Sequence, residues 1–343
     1  MLHKIQQRFT PAILGEALGR FGFAPAPLLE LEGSAFVYEG LIGGQPRILK
    51  IVPGIWNTAQ QITGSTLEQL LAEVDFVRFL AENGLPVARP VPSRSGSWVE
   101  RVPLDDQACF LIYAFEKAPG EMYPDEDEVF FPESVLVEWG RLCGRLHRLS
   151  VAYQPHHERR RLPWHANDLL DFHALIPPEQ TLVYRRRDEL LTRLNALPQG
   201  AEAYGLVHGD FHHGNFLVNG AKLTLFDFDA AEYSWYTGEI STALYNCLPL
   251  PRSNTARRRA YALNYLHHFL NGYRQAREFS DFWLAQIPLF LKYCELLHYG
   301  YFHKYWDLSD LTPRRAQALV GLRQRIEEEV PVVAFEPGDL RIQ

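Results

Sequence analysis

The stretch that most constrains this chain is Leu206-Val207-His208-Gly209-Asp210-Phe211-His212-His213-Gly214-Asn215-Phe216-Leu217-Val218. An apolar strand runs into a polar loop that holds an Asp, and an Asn follows five residues later. Asn219-Gly220 then separates Phe216-Leu217-Val218 from Ala221-Lys222-Leu223-Thr224-Leu225-Phe226. Asn-Gly between two apolar runs predicts a two-residue hairpin turn. Folding back there brings the chain to Asp227-Phe228-Asp229, at the same end of the hairpin as Asn215. One Asp, one Asn amide oxygen and a second Asp are therefore expected near one point.

That set suits phosphoryl transfer. A hard cation such as Mg2+ takes a few oxygen ligands, keeps some waters and binds nucleotide phosphates. Asn215 and Asp227 are the expected metal ligands. Asp210 is expected to accept the proton of a substrate hydroxyl and to orient its oxygen for in-line attack. The D-x-x-x-x-N spacing followed by a later Asp is the arrangement of the protein-kinase catalytic loop. His212 and His213 also admit a zinc-hydrolase reading, because metal-binding His and Asp cluster in such enzymes. The hairpin and the later Asp fit Mg2+ better. The two histidines are then left to contact substrate or to shape the loop.

His208, Gly209 and Asp210 in that order, with Asn215, resemble the aminoglycoside phosphotransferase and choline kinase family. The continuation Phe226-Asp227-Phe228-Asp229-Ala230-Ala231-Glu232-Tyr233-Ser234-Trp235-Tyr236 looks like the branch that holds stress-response kinase A and type II homoserine kinase. The resemblance implies an α+β, bilobal protein-kinase-like fold, with a β-rich N-terminal lobe and a mainly helical C-terminal lobe. It implies ATP and Mg2+ as cofactors and a hydroxyl as acceptor. By motif position, Asp210 is the base and Asn215 and Asp227 are the metal ligands. His208 supports the loop, and Asp229 lies near metal or substrate. The family's Asp in the following helix is replaced by Glu239, a longer acid that could still brace the catalytic loop. Gly209 stands where protein kinases have arginine, so no phosphorylated activation loop is expected.

The nucleotide side follows the same resemblance. Lys50, within Ile48-Leu49-Lys50-Ile51-Val52, resembles the family's nucleotide-binding lysine, its stem packed and its ammonium reaching a cleft. Its expected partner is Glu73, at the border of the apolar face of the next helix, with Glu68 as the alternative. Gly33-Ser34-Ala35-Phe36 resembles the loop over the phosphates, which makes Ser34 a nucleotide contact. Ala114-Phe115-Glu116-Lys117 falls where adenine would meet backbone, which places Glu116 at the nucleotide. No Walker A sequence occurs, which disfavours a P-loop fold.

At 343 residues the chain exceeds what one core usually organises. The expected division is 1–115, a nucleotide-binding lobe, and 116–343, a catalytic and substrate-binding lobe. Strands are expected within 28–52, at 108–115 and within 205–228. Helices are expected from Leu67 to near Asn83 and over 132–150, 184–197, 237–248, 254–272, 280–306 and 311–328. The acidic run Asp125–Glu128 reads as a solvated loop. With 34 basic and 41 acidic residues the net charge is −7, which leaves no electrostatic footprint for nucleic acid. No apolar run is long enough for a membrane span, and the N-terminus lacks a signal-peptide core. The four cysteines form no CxxC pair. A cytoplasmic enzyme is expected. Its acceptor is a small-molecule alcohol or, in a second reading, protein Ser or Thr. A third reading is a kinase-like binding protein without turnover, against which the intact Asp210, Asn215, Asp227 and Lys50 argue. The acceptor pocket is expected between the catalytic loop and the C-terminal helices, with Trp235, Tyr236, Tyr293, His298 and Tyr299 as lining candidates.

Overall fold

The computed structural model of the chain describes residues 5–31, 36–55, 66–123, 131–156, 161–248 and 255–341. The Gly33–Ser34 loop and the acidic run 125–128 lie outside the described residues. The N-terminal part is an antiparallel sheet built from β1 (Leu29–Leu31), β2 (Phe36–Ile42), β3 (Gln45–Ile55), β4 (Pro90–Val91), β5 (Glu100–Pro103) and β6 (Ala108–Glu116). Its order is β1-β2-β3-β6-β4, with β5 also paired to β6. Residues Ala108 to Ala114 of β6 are buried without interruption, as the continuous apolar run predicts for a strand covered on both faces.

The strand period of two decides what each cover contributes. Leu49 and Ile51 of β3 face Phe110 and Ile112, beneath helix α1 (Pro11–Phe21). Lys50 lies between them and so turns to the other face, beside its cross-strand partner Tyr113. Helix α2 (Leu67–Glu82) covers that face through Leu70 and Val74. Thr66 and Gln69 start α2 with a capping box. Its buried stripe includes Leu70, Glu73, Val74, Val77 and Leu80, which puts Glu73 inside, whereas Glu68 is exposed. Helix α1 is missing from the sequence expectation. Thr10 as N-cap, Pro11 at the first position and Gly22 in the left-handed conformation as C-cap are the signals that mark it.

The C-terminal part is mainly helical: α3 (Glu133–Ala152), α4 (Thr181–Asn195), α5 (Tyr236–Tyr245), α6 (Thr255–Arg274), α7 (Ile287–Tyr305) and α8 (Pro313–Glu327). Helices α3 and α6 approach so closely that a Cβ on Gly140 would lie 1.8 Å from the Phe269 carbonyl oxygen. The stretch 280–306, expected as one helix, is a short turn at Asp281–Leu284 followed by α7, whose second residue is Pro288. Short strands complete this part. β7 (Glu121–Met122) pairs with β9 (Phe216–Asn219), β9 with β10 (Lys222–Leu225), and β8 (Tyr204–Val207) with β11 (Glu232–Trp235). The hairpin register pairs Asn219 with Lys222, so the two loop residues are Gly220 and Ala221 rather than Asn219 and Gly220. Gly220 has φ +62°, and a glycine at the first loop position is the II′ pattern. The hairpin itself, and its return to Asp227, are as expected.

The main core joins the two parts. Phe76, Val77 and Leu80 of α2 share it with Trp139 and Leu146 of α3 and with Phe211, Phe216 and Phe228 around the hairpin. Backbone bonds across 86–88 reinforce the seam: Ala88 N–H donates to the Leu225 carbonyl at 2.8 Å, and Leu225 N–H to the Pro86 carbonyl at 2.9 Å. Among the described residues no helix is long and apolar enough to cross a membrane.

Candidate active site

The loop between β8 and β9 is held from several sides before any ligand is considered. His208 is fully buried. Its Nε2–H donates to the Phe226 carbonyl at 2.9 Å, and its Nδ1 accepts from the Asp210 N–H at 3.3 Å. That is the loop-supporting place expected for it. Glu239, from the first turn of α5, accepts the backbone N–H groups of His208 and Gly209 on one oxygen. Its other oxygen lies 2.6 Å from His147 Nε2, and His147 Nδ1 meets the Tyr273 hydroxyl at 2.9 Å. The longer acid therefore does brace the loop, from behind. Gly209 has φ +84°, and a Cβ there would stand 2.0 Å from the Ala230 carbonyl oxygen. An arginine at this position has no room.

Asp210 emerges from this frame with its side chain 47% exposed, open to a ligand. Asn215 Nδ2 donates to the Asp210 carbonyl at 2.8 Å and to its carboxylate at 3.1 Å. The amide oxygen of Asn215 is left pointing away from that pair. His212 Nδ1 accepts the Gly214 N–H at 2.9 Å, so its Nε2–H faces the Asp210 carboxylate at 3.2 Å. Burial pushes the Asp210 pKa up. The His212 hydrogen bond, the electrostatic pull of the His212 and His208 rings, and the Asn215 bond outweigh it and hold the carboxyl at about 2.

Across the cleft, Lys50 Nζ forms an ion pair with Asp227 Oδ1. Burial works against the ammonium, but Tyr113, Asp227, Asp229 and Glu73 keep its pKa well above the usual lysine range. Asp227 itself holds a left-handed backbone, φ +65° and ψ +62°. Burial and the neighbouring Asp227 push the Asp229 carboxyl up, with Asp210 adding in the same sense. Asp210, Asn215, Asp227, Asp229 and Lys50 thus gather around one cleft, which the hairpin argument anticipated for the first three.

The expected Lys50–Glu73 pair is not formed. Lys50 is taken by Asp227, and Glu73 Oε2 instead lies 3.9 Å from Arg161 Nη1. Glu73 Oε1 is buried with no hydrogen-bond partner among the described residues. Burial raises the Glu73 carboxyl to about 7, against the opposing charges of Arg161 and Lys50. At the linker expected beside adenine, the Glu116 N–H donates to the Arg89 carbonyl at 2.7 Å and its carboxylate faces Arg47 at 3.9 Å. Ser34 lies outside the described residues.

Four of the five lining candidates are core residues. Trp235, Tyr236, Tyr293 and Tyr299 are each at most 5% exposed, because their ring area is consumed in packing β11, α5 and α7 together. The Asp210 charge reaches His298, which packs on Tyr245 at 4.6 Å between ring centroids. Cys294, His298, Tyr301 and Tyr305 form one stripe of α7, and the first three sense Asp210. Tyr301 and Tyr305 are exposed at its outer end. A helical wheel could have found this stripe, but not which helix faces the loop. His212 and His213 do not converge on a common metal point: His213 instead meets Cys247 at 3.8 Å and the Phe131 ring. The one clustered set of potential His, Cys and carboxylate metal ligands among the described residues, Cys143, His147 and Glu239, lies fully buried behind the loop with His147 and Glu239 already bonded to each other.

A profile of the phosphotransferase enzyme family (APH) matches residues 35–279. Amicoumacin kinase of Bacillus subtilis (strain 168) is 34% identical over 326 residues, which is 94% of each chain. In three dimensions the chain is similar to amicoumacin kinase hAmiN, solved in complex with AMP-PNP, Ca2+ and Ami, with a TM-score of 0.88 and 33% identity over 98% of each chain. A microcompartment-associated aminopropanol kinase shares the fold at a TM-score of 0.70 and 21% identity, over 93% of this chain and 95% of its own. A β-sheet N-terminal part and a helical C-terminal part are common to this group, as the resemblance implied.

Proposed function

The chain belongs to the phosphotransferase enzyme family, and on that premise we propose that it transfers the γ-phosphoryl group of Mg2+-bound ATP to a hydroxyl of a small molecule, with Asp210 as proton acceptor. The observation that carries this reading is the meeting of Asp210 and Asn215 with Lys50, Asp227 and Asp229 across one cleft.

The donor set fits a hard divalent cation. Asn215 spends its amide N–H on Asp210 and keeps its oxygen, and Asp227 and Asp229 add carboxylates crowded enough to repel each other. Bound there, Mg2+ would supply positive charge to the β- and γ-phosphates. With Asp227 given over to such a cation, the Lys50 ammonium would be left for the unpartnered Glu73 Oε1, the pairing expected from the sequence. Asp210 accepts a hydrogen bond from the acceptor hydroxyl and aims its oxygen at the γ-phosphorus. As the new O–P bond forms and the bond to the leaving ADP oxygen breaks, the hydroxyl becomes acidic and its proton passes to Asp210. A carboxylate as weakly basic as this one takes the proton late, which suits a reaction driven by positioning and charge stabilisation.

The acceptor lies between Asp210 and the His298–Tyr301–Tyr305 stripe of α7. A small molecule is favoured over protein Ser or Thr because the two relatives at 34% and 33% identity that cover nearly the whole chain, among those compared, are named as amicoumacin kinases. The division into a nucleotide-binding part, 1–115, and a catalytic part, 116–343, and a cytoplasmic setting belong to the same proposal. An ATP-consumption screen over hydroxylated antibiotics, amino alcohols and sugars tests it. Turnover with at least one such compound is expected. Absence of both turnover and MgATP binding would overturn it.

A further inference from the structure

Arg161 has no part in the reading above, and no motif marks it. It reaches the cleft from a segment laid along β11: the Tyr233 N–H donates to the Leu162 carbonyl at 2.9 Å, and Pro163 bridges to Tyr233 in parallel. Its side chain is 13% exposed, and its guanidinium spans two elements. Nε–H donates to the Ala231 carbonyl at 2.6 Å and Nη2–H to the Asp229 carbonyl. Nη1–H donates to the Gln69 carbonyl of α2 at 3.3 Å and stands 3.9 Å from Glu73 Oε2. A planar fork of fixed donors can serve three carbonyls at once, which a lysine ammonium on a flexible stem cannot do in the same geometry.

The two carbonyls on the C-terminal side lie two and four residues after Asp227. A non-glycine residue holds a left-handed backbone only where its surroundings over-determine it. Beyond the turn bond from Ala231 N–H to the Phe228 carbonyl, the bonds from Arg161 fix this segment from outside.

Resting on the phosphotransferase reading, we propose that Arg161 is a positioning residue: it ties α2 to the 229–231 segment and so holds Asp227, Asp229 and Glu73 in the geometry that receives the metal–nucleotide complex. Residues that orient metal ligands without touching the metal typically change affinity by about 10–100-fold when replaced.

The test is calorimetric titration of the full chain with Mg2+–AMP-PNP and, separately, with metal-free ADP. Arg161→Ala is expected to weaken Mg2+–AMP-PNP binding about tenfold. It should also raise the Mg2+ concentration needed for half-maximal binding, while ADP binding changes by less than about twofold. Arg161→Lys, which keeps the charge and loses the fork, is expected to recover only a minor part of the loss, and it carries the comparison if the alanine variant does not fold. Unaltered Mg2+ dependence in these variants overturns the proposal, as does an equal loss of ADP and Mg2+–AMP-PNP binding. A wild-type protein that binds no Mg2+–AMP-PNP sinks the phosphotransferase reading itself, and is thereby told apart from failure of Arg161 alone.

Discussion

Asp210 is pulled in opposite directions by its setting. Partial burial favours the neutral acid, while His212, His208 and Asn215 favour the anion and win. Asp210→Asn keeps the shape and the Asn215 contact but removes the proposed proton acceptor. It is expected to lower kcat by about 10^2–10^4-fold with nucleotide binding retained; a near-normal single-turnover rate would take Asp210 out of that role. Asp227→Ala removes a carboxylate facing Lys50, and titration should show a loss of Mg2+ dependence in nucleotide binding. Unaltered dependence there would reassign the ligand. The Asp-Asn-Asp spacing was legible because all three lie within one hairpin, where chain geometry is local. Arg161 was not, because its partners Gln69, Asp229 and Ala231 lie far from it in sequence and are backbone atoms, which leave no mark on side-chain choice.

At the scale of elements, the hairpin, α2 and the buried β6 strand follow from turn chemistry, capping and apolar patterning. Pairing between helices does not. Helices α3 and α6 touch through Gly140, Gly144 and Gly272, where added Cβ atoms would lie 1.8–2.6 Å from carbonyl oxygens of the other helix. Gly140→Ala must therefore push the pair apart, and a loss of about 3 kcal/mol or more is expected in urea denaturation. A variant as stable as the wild type would mean that the helices pack elsewhere. This pair also carries His147 and Tyr273, which stand behind Glu239 and the loop that holds Asp210. Close approach in the core thus has a consequence at the site.

Across the whole molecule, the packed interior buries acids that a solvated chain would ionise. Glu232 is raised to about 7 by burial, against its Asn167 hydrogen bond and the Arg161 charge, and Glu73 is raised to about 7 likewise. A carboxyl with a higher pKa folded than unfolded binds more protons when folded, so stability falls as pH rises from about 4.5 to about 7. Each unit in that window is worth about 1.4 kcal/mol per group. Glu232→Gln should therefore stabilise the protein more at pH 8 than at pH 5 in thermal melts, and an equal effect at both would refute the assignment. What the sequence determined on its own was local: the Asp210–Asn215 loop and its hairpin, the alternation that turns Lys50 away from Leu49 and Ile51, and the helical stripe that draws Glu73 inward. Those depend on backbone periods and turns spanning a few residues. Only the tertiary structure decided that Lys50 meets Asp227 rather than Glu73, and that Arg161 stands between α2 and the 229–231 segment. Each of these is a competition among charges or surfaces distant in the chain, settled by which elements the common core brings within reach.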